Sequence, residues 1–304
     1  MSVKSPETIR IGTRRSALAQ AQAGTVADRL RAARPGARVE IVPMSTRGDR
    51  TPGSLRDTGG KGLFCAALEQ ALRAGRIDLA VHSAKDLPAE LAPDMCIAAV
   101  PERADPRDAL VSRVGGGPDE LPAEPRVGTG SARRAAQFLL LRPDARILPL
   151  RGNVDTRLAK VLGEHAELDA AVLAMAGLVR LGLGASEGNR IHPLDAWRFV
   201  PAAGQGALAV EARAGSTACE CAAAIDESTA RDALEAERSV LRAVGADCHS
   251  CVGVHVAPHS GGWRGVAMAT DAEERPGRAE AHGRSARAVG EALADAIVGG
   301  GFSV

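Results

Sequence analysis

The chain of 304 residues contains no tyrosine, and it has only four phenylalanines and two tryptophans. Proteins that bind single-stranded nucleic acid usually stack its bases on aromatic side chains, so this scarcity argues against such a partner. The net charge is only +1, because 38 basic residues are balanced by 37 acidic ones. The chain therefore lacks the broad positive field of a nucleic-acid binder, and any anion site must be local.

Long apolar segments are also missing. The longest apolar run, residues 168–179, carries a charge near its start and is too short to span a bilayer. The first ten residues, MSVKSPETIR, contain no apolar targeting core. Six cysteines are scattered through a chain long enough to bury a core without disulfides. We therefore expect a cytoplasmic protein with reduced thiols and no membrane segment.

Two stretches of the chain, residues 9–44 and 126–150, share one pattern. Each has an apolar strand ending in Gly-Thr, an Arg/Ser cluster, an Ala-rich helix, and Arg-Pro-x-Ala-Arg before a second strand. A further pair, residues 77–87 and 168–178, repeats as well. Chance similarity between Ala/Arg-rich helices is the alternative, but the order and spacing of the pieces favour a duplication. The repeat predicts two similar α/β lobes with a cleft between them.

The pattern of strands and helices predicts three domains. We expect residues 1–100 and 201–222 to form the first α/β lobe, residues 101–200 the second, and residues 223–304 a small α+β domain. Two lobes joined by two crossings can hinge around a small ligand. Residues 47–61 are polar and rich in glycine and proline, and they form either a mobile lid or a passive surface loop.

Polar side chains follow several predicted strands. Lys85 and Asp86 come directly after one, and the carboxyl ends of parallel strands line the ligand crevice. A carboxylate beside cations stays ionised and can hold a developing positive charge; an ordinary surface ion pair is the alternative. Similar positions are occupied by candidate carboxylate-binding residues, namely Arg14, Ser16, Thr129, Ser131, Arg133, Arg134, Arg151, Arg157 and Arg180. Simple helix capping by the two serines is compatible with ligand binding.

Residues 245–253 contain the sequence Cys248-His249-Ser250-Cys251. Three interpretations stay open: a redox pair, a zinc site that also uses Cys219, Cys221 and His249, or a loop thiol that carries a covalent group. A redox pair normally caps a helix after a strand, which is not the pattern here. The zinc site would need a Cys-x-Cys spacing tighter than structural sites normally use.

Taken together, the motifs resemble those of the porphobilinogen deaminase family, also called hydroxymethylbilane synthases. The match covers most of residues 9–211 in the family's order. The matching motifs are GTRRSALA (12–19), TRGD (46–49), GGKGLF (59–64), AVHSAKDLP (80–88), ERADPRDA (102–109), VGTGSARR (127–134), LRGNVDTRL (150–158), LAMAGLVRLGL (173–183) and PAAGQGALAVE (201–211).

The resemblance implies a fold of two hinged lobes, built like periplasmic binding proteins, with a small third domain. It also implies a dipyrromethane cofactor, held by a thioether to Cys248. Four porphobilinogen molecules would be added in turn with loss of ammonia, and the linear tetrapyrrole would then be released by hydrolysis. No metal and no macromolecular partner are implied, and we expect a monomer.

Each family role falls on a particular position of this chain. The resemblance implies that Asp86 is the catalytic carboxylate. It places cofactor binding on Lys85, Asp86, Thr129, Ser131, Arg133, Arg134 and Cys248, substrate binding on Arg14, Ser16, Arg151, Arg157 and Arg180, and the lid on Lys61 and Phe64.

Three positions depart from the family's usual pattern. Cys251 stands where the family's attachment loop has proline, Gly130 where many members have serine, and Asp57 where a basic residue often precedes the glycine pair. Two alternatives therefore stay open: a non-catalytic protein that binds polycarboxylates, and a redox- or metal-sensing paralogue.

Overall fold

The structure is a computed structural model that describes residues 8–45, 65–186, 188–246, 250–270 and 275–300. The chain divides into two compact units. One unit comprises Met1–Arg103 and Ala207–Asp232, and the other comprises Ala104–Gly206 and Ala233–Val304.

The described elements follow in chain order. The strands are β1 (Thr8–Arg14), β2 (Arg38–Met44), β3 (Leu79–Ser83), β4 (Met95–Ala99), β5 (Asp108–Ser112), β6 (Arg126–Gly128), β7 (Arg146–Leu148), β8 (Ala170–Ala174), β9 (Ile191–Pro193), β10 (Leu208–Arg213), β11 (Val252–His259), β12 (Gly262–Thr270) and β13 (Pro276–Gly283). The helices are α1 (Ala17–Ala33), α2 (Ala66–Arg73), α3 (Ala132–Leu141), α4 (Val154–Leu162), α5 (Met175–Arg180), α6 (Leu183–Ser186), α7 (Thr217–Ala222), α8 (Ser228–Ala243) and α9 (Ala286–Gly299).

The first unit is built on a five-stranded sheet of order β2-β1-β3-β10-β4. Strand β1 runs parallel to β2 and β3, whereas β10 runs antiparallel to β3 and β4. Helix α1 covers the sheet because alanines and larger apolar residues recur every three or four positions, which places them on one face. Ala23, Val26, Ala27 and Leu30 on that face are fully buried in the sheet's core.

The second unit contains a five-stranded sheet of order β7-β6-β8-β5-β9. Here β6 runs parallel to β7 and β8, and β5 runs antiparallel to β8 and β9. Position by position, this is the arrangement of the first sheet. The predicted duplication is therefore visible as two sheets with the same order and the same strand directions.

The repeated Gly-Thr pairs have a packing reason. A side chain at Gly12 would begin 2.3 Å from Ile77 Cδ1, and one at Gly128 would begin 2.4 Å from Leu168 Cδ1. In both copies, therefore, a large residue just before the third strand fills the space above the glycine. A Cβ atom at either glycine would force this packed side chain to shift, because atoms cannot approach that closely.

A three-stranded antiparallel sheet of order β11-β12-β13 completes the second unit. Helix α9 packs on it through Val289, Leu293 and Ile297, which are spaced four residues apart and are buried. The predicted class, two duplicated α/β lobes with a small α+β part, is confirmed. The three-domain boundaries and the cleft between the lobes stay predictions.

Candidate active site

Asp86 lies on a short turn at the carboxyl end of β3. The strand ends at Ser83, and residues Ala84–Asp86 form one turn of 3-10 helix. The Ala84 amide donates to the Ala207 carbonyl at 3.0 Å, and Gln22 Nε2 donates to Ser83 Oγ at 2.8 Å. Because this turn is fixed at its start and Asp86 itself is exposed, the carboxylate is presented to solvent at the strand end.

Three buried polar residues that the sequence did not single out lie behind this turn. His82 Nε2 is 2.9 Å from Glu211 Oε2, and His82 Nδ1 is 3.9 Å from Cys65 Sγ. Burial alone would lower the pKa of His82, but the hydrogen-bonded Cys65 and Glu211 raise it to about 10. The imidazole is therefore charged at neutral pH. The only sequence signal was a polar residue inside each of two apolar strands, LAVHS and LAVEAR.

Arg14 and Ser16 belong to the same unit as Asp86, at the turn between β1 and α1. Ser16 Oγ accepts a hydrogen bond from the Ala19 amide at 3.3 Å, so it caps α1. The buried Thr13 hydroxyl donates to the Ala19 carbonyl at 2.9 Å and fixes the same turn. Both candidate residues are only partly buried. The capping role of Ser16 is thus present, and substrate binding by either residue stays a prediction.

Thr129 and Ser131 form the corresponding turn in the second unit. The Ser131 amide donates to Thr129 Oγ1 at 3.2 Å, and Ser131 Oγ accepts from the Arg134 amide at 3.4 Å, capping α3. A Cβ atom on Gly130 would lie 2.9 Å from the Leu150 carbonyl oxygen. Glycine in place of the family's frequent serine therefore accommodates the close approach of the neighbouring backbone.

Arg133 and Arg134 are almost completely buried, with 3% and 7% of their surface exposed. Both pair with the fully buried Asp108: Arg133 Nη1 lies 2.8 Å from its Oδ2, and Arg134 Nη2 lies 2.7 Å from its Oδ1. Gln205 Nε2 donates to the same Oδ1 at 2.9 Å. Burial would raise the pKa of Asp108, but the two guanidiniums outweigh it and hold the pKa well below its usual range.

The sequence motifs predict that both arginines bind cofactor carboxylates, and they give no indication of this network. Asp108 belongs to the ERADPRDA motif and Gln205 to the PAAGQGALAVE motif, and membership of these motifs is the signal that the sequence offers for the two residues. The network shows that both arginines have a structural partner. Two cations around one carboxylate leave one positive charge in excess at the start of α3.

The remaining three arginines also lie in the second unit. Arg151 is exposed, and Arg157 Nε donates to the Gly152 carbonyl at 2.8 Å. Arg180 ends α5, and its Nη2 donates to the Gly206 carbonyl at 2.8 Å. Burial lowers the pKa of Arg180 to about 10, so the side chain still carries its charge at neutral pH.

Several predicted site residues lie outside the described residues, namely Lys61, Phe64, Cys248 and the lid segment 47–61. Cys251 is described: it is partly buried and packs against Val200, Val266 and Met268. Cys219 and Cys221 lie on α7 in the other unit. Within the described part of the chain, no three His, Cys, Asp or Glu side chains are grouped so that they could hold a metal ion.

The first unit thus carries an exposed carboxylate on a fixed turn, and each unit carries hydroxyl and guanidinium groups at strand ends of its α/β sheet. Groups of these kinds are chemically suited to small molecules that carry several carboxylates. In the described ranges, no helix has the length and apolar character needed to cross a membrane.

Comparison with known proteins identifies the family. The family described as "Porphobilinogen deaminase, dipyromethane cofactor binding domain" matches residues 9–221. A porphobilinogen deaminase of Roseiflexus sp. (strain RS-1) is 46% identical over 296 residues, which cover 96% of each chain. One from Stenotrophomonas maltophilia (strain K279a) is 49% identical over 245 residues, covering 80% of this chain and 79% of that protein. The chain belongs to the porphobilinogen deaminase family, and the prediction from its motifs is confirmed.

Proposed function

We propose that the chain is a hydroxymethylbilane synthase. It condenses four porphobilinogen molecules, with loss of ammonia, onto an enzyme-bound dipyrromethane and then releases the linear tetrapyrrole by hydrolysis. The observation that carries this proposal is the exposed Asp86 carboxylate on its fixed turn, in a chain that matches deaminases over nearly its whole length. The match does not favour the alternatives, a non-catalytic binding protein and a sensor paralogue.

The residues present fit a dipyrromethane group. Such a group offers pyrrole N–H donors and several carboxylates, so it needs a carboxylate acceptor and a set of cations. Asp86 supplies the first, and the charge excess around Arg133 and Arg134 supplies part of the second. Lys85, Thr129 and Ser131 complete the proposed cofactor-binding set, and Cys248 would carry the thioether. When bound, the group supplies the nucleophilic pyrrole carbon to which the substrate is joined.

Asp86 acts on the substrate through its charge. As ammonia leaves porphobilinogen, positive charge develops on the pyrrole ring, and an ionised carboxylate within hydrogen-bond reach of the ring N–H stabilises it. Because this charge is larger in the transition state than in the bound substrate, the interaction increases the rate of the chemical step.

The arginines act on the substrate's side chains. The acetate and propionate groups of porphobilinogen need fixed cations, and guanidinium groups can bind carboxylates through two hydrogen bonds. We assign this role to Arg14, Arg151, Arg157 and Arg180, with Ser16 as an additional donor. Arg180 keeps its charge at neutral pH, since its lowered pKa of about 10 is still well above 7. A cytoplasmic location and a monomeric state form part of the same proposal.

The test is replacement of Asp86 by asparagine, which keeps the shape of the side chain and removes its charge. We expect porphobilinogen consumption to fall by about a hundredfold or more, on the order of the loss of one electrostatic stabiliser of a transition state. Glu90→Gln is the control, because Glu90 is an exposed acid four residues further on. Near-normal consumption by Asp86→Asn would remove Asp86 from the mechanism.

A further inference from the structure

A line of buried polar groups runs from the core of the first unit to the peptide of Asp86. Glu211 on β10 is fully buried, and its Oε2 lies 2.9 Å from His82 Nε2 on β3. His82 Nδ1 lies 3.9 Å from Cys65 Sγ, and Cys65 Sγ lies 3.8 Å from the Asp86 carbonyl oxygen. Both sulfur contacts are long but lie within the range of hydrogen bonds to sulfur.

The direction of the hydrogen bonds follows from the charge of His82. An imidazolium has two N–H donors and no acceptor. Nε2–H therefore donates to the Glu211 carboxylate, and Nδ1–H donates to the Cys65 sulfur. Cys65 Sγ in turn donates to the Asp86 carbonyl. His82 is thus linked on one side to Glu211 and on the other, through Cys65, to the Asp86 peptide.

This arrangement is costly for stability. Among the groups that the structure describes, no hydrogen-bond partner is found for the buried Glu211 Oε1. A buried carboxylate oxygen without a partner loses hydration without compensation, and buried ion pairs are often no more stable than apolar residues of similar volume. The neighbours of His82 and Glu211 along β3 and β10 are apolar and well packed. Core packing by itself therefore gives no reason for an ion pair at this place.

We propose that Glu211, His82 and Cys65 form a positioning relay that fixes the Asp86 peptide and so aims the catalytic carboxylate. The inference rests on the proposed function, since it concerns the carboxylate assigned there. The three residues act through Asp86, so they are positioning residues and do not touch the substrate. Small errors in the placement of a catalytic group reduce rates strongly, by up to about a hundredfold for a displacement of about 1 Å.

The relay has a defined pH range. The titratable groups that face His82 are Cys65, at the start of α2, and Glu211, on β10. With these partners the pKa of His82 is raised to about 10, so the relay is complete at neutral pH and loses its charge as the pH rises through that value. Glu211 is one of the two groups that raise the pKa of His82, so loss of its charge should lower that pKa.

The test uses the full-length enzyme with two variants and matched controls. Glu211→Gln keeps the size of the side chain and removes the charge that holds His82 protonated, and Cys65→Ala removes the thiol donor. The control for the first is His255→Gln, which disturbs another buried His–Glu contact, with Glu237 at 3.7 Å in the second unit. The control for the second is Cys221→Ala, since Cys221 is a fully buried cysteine of the same unit.

We expect Glu211→Gln to lower kcat by about tenfold or more while KM changes by less than about twofold, because substrate contacts are untouched and only the aim of Asp86 is lost. The alkaline limb of its kcat–pH profile should begin at lower pH than in the wild type. Cys65→Ala should lower kcat by roughly threefold to tenfold. The two controls should keep the wild-type kcat and pH profile.

Nuclear magnetic resonance of histidine-labelled enzyme gives an activity-free readout. The pKa of the His82 ring should be lower in Glu211→Gln than in the wild type, and the Asp86 amide signal should shift. Folded variants with wild-type kcat, pH profile and Asp86 signal would overturn the relay. If Glu211→Gln does not fold, the relay is tested by comparing the kcat of Cys65→Ala with that of Cys221→Ala. A wild type that consumes no porphobilinogen would refute the proposed function. The relay would still be tested by whether the Asp86 amide signal shifts in the variants.

Discussion

Removing the charge of Asp108 should destabilise the second unit severely. Asp108→Asn keeps the volume of the side chain but leaves the guanidiniums of Arg133 and Arg134 buried without their counter-ion. Asp108 is fully buried, and its two oxygens accept four hydrogen bonds, one from Arg133 Nη1, two from Arg134 Nε and Nη2, and one from Gln205 Nε2. The NH₂ group of an asparagine at position 108 would face N–H donors of the surrounding side chains, so it could not replace the lost carboxylate oxygen as an acceptor.

The size of the effect follows from this burial. Breaking a buried ion pair by removing one partner costs about 3–5 kcal/mol, because an uncompensated charge stays in the interior. With two guanidiniums sharing one carboxylate, we expect the upper half of that range. Since whole domains are stable by about 5–15 kcal/mol, the variant would lose a large part of its free energy of unfolding.

Urea unfolding followed by tryptophan fluorescence measures this loss directly. Trp197 and Trp263 both lie in the same unit as Asp108, so their fluorescence reports the unfolding of that unit. Asp105→Asn is the matched control from the same motif, because Asp105 pairs with the half-exposed Arg107 and such pairs contribute about 1 kcal/mol or less.

The contribution of Asp108 to stability depends on pH in a defined direction. The folded pKa of Asp108 is lowered below its ordinary 3.8, so its stabilising contribution is present above that value and is lost as the pH falls toward the folded pKa. Asp108→Asn should therefore flatten the acid limb of the stability profile. A loss no larger than that of Asp105→Asn, with an unchanged acid limb, would refute the reasoning about the buried network.

Two further predictions concern the first sheet and its copy. Gly12→Ala and Gly128→Ala should each lower the free energy of unfolding by about 1–3 kcal/mol, because a Cβ atom would collide with a packed side chain. The control Gly24→Ala lies in open space on α1 and should raise the free energy of unfolding by up to about 1 kcal/mol. Urea titrations measure all three changes. The raised pKa of His82 contributes stability that is fully present below its ordinary 6.5 and is lost as the pH rises through about 10. Urea titrations across that range should show this loss in the wild type and not in Glu211→Gln; equal alkaline profiles would contradict the pairing.

The duplication could be predicted because it depends on local patterns. The Gly-Thr pairs, for example, mark strand ends where a neighbouring side chain leaves no room for a Cβ atom, and this constraint is the same in both copies. Each copy also has an arginine at its first strand that pairs with an aspartate before the third, as Arg10 does with Asp78 and Arg126 with Asp169. Such features repeat in sequence as they repeat in space.

The burial of the site's charges could not be predicted in the same way. Arginine is suited equally to a ligand's carboxylate and to a buried aspartate, so residue type did not separate the two roles at Arg133 and Arg134. Their partner Asp108 lies about 25 residues away in the chain, and Glu211 lies 129 residues from His82. Contacts of this kind depend on the pairing of strands, which a local pattern does not contain.

The proposed function is tested most directly by the mass of the purified protein, followed by peptide mapping, in the wild type and in Cys248→Ala. We expect the wild type to exceed the mass of its 304 residues by that of a dipyrromethane, carried on the peptide that contains Cys248, and the variant to lack the excess. A wild-type chain without this excess, or one with the group on the same peptide at Cys251, would contradict the assignment of Cys248 as the attachment residue. Absence of the group altogether would also contradict the proposed synthase.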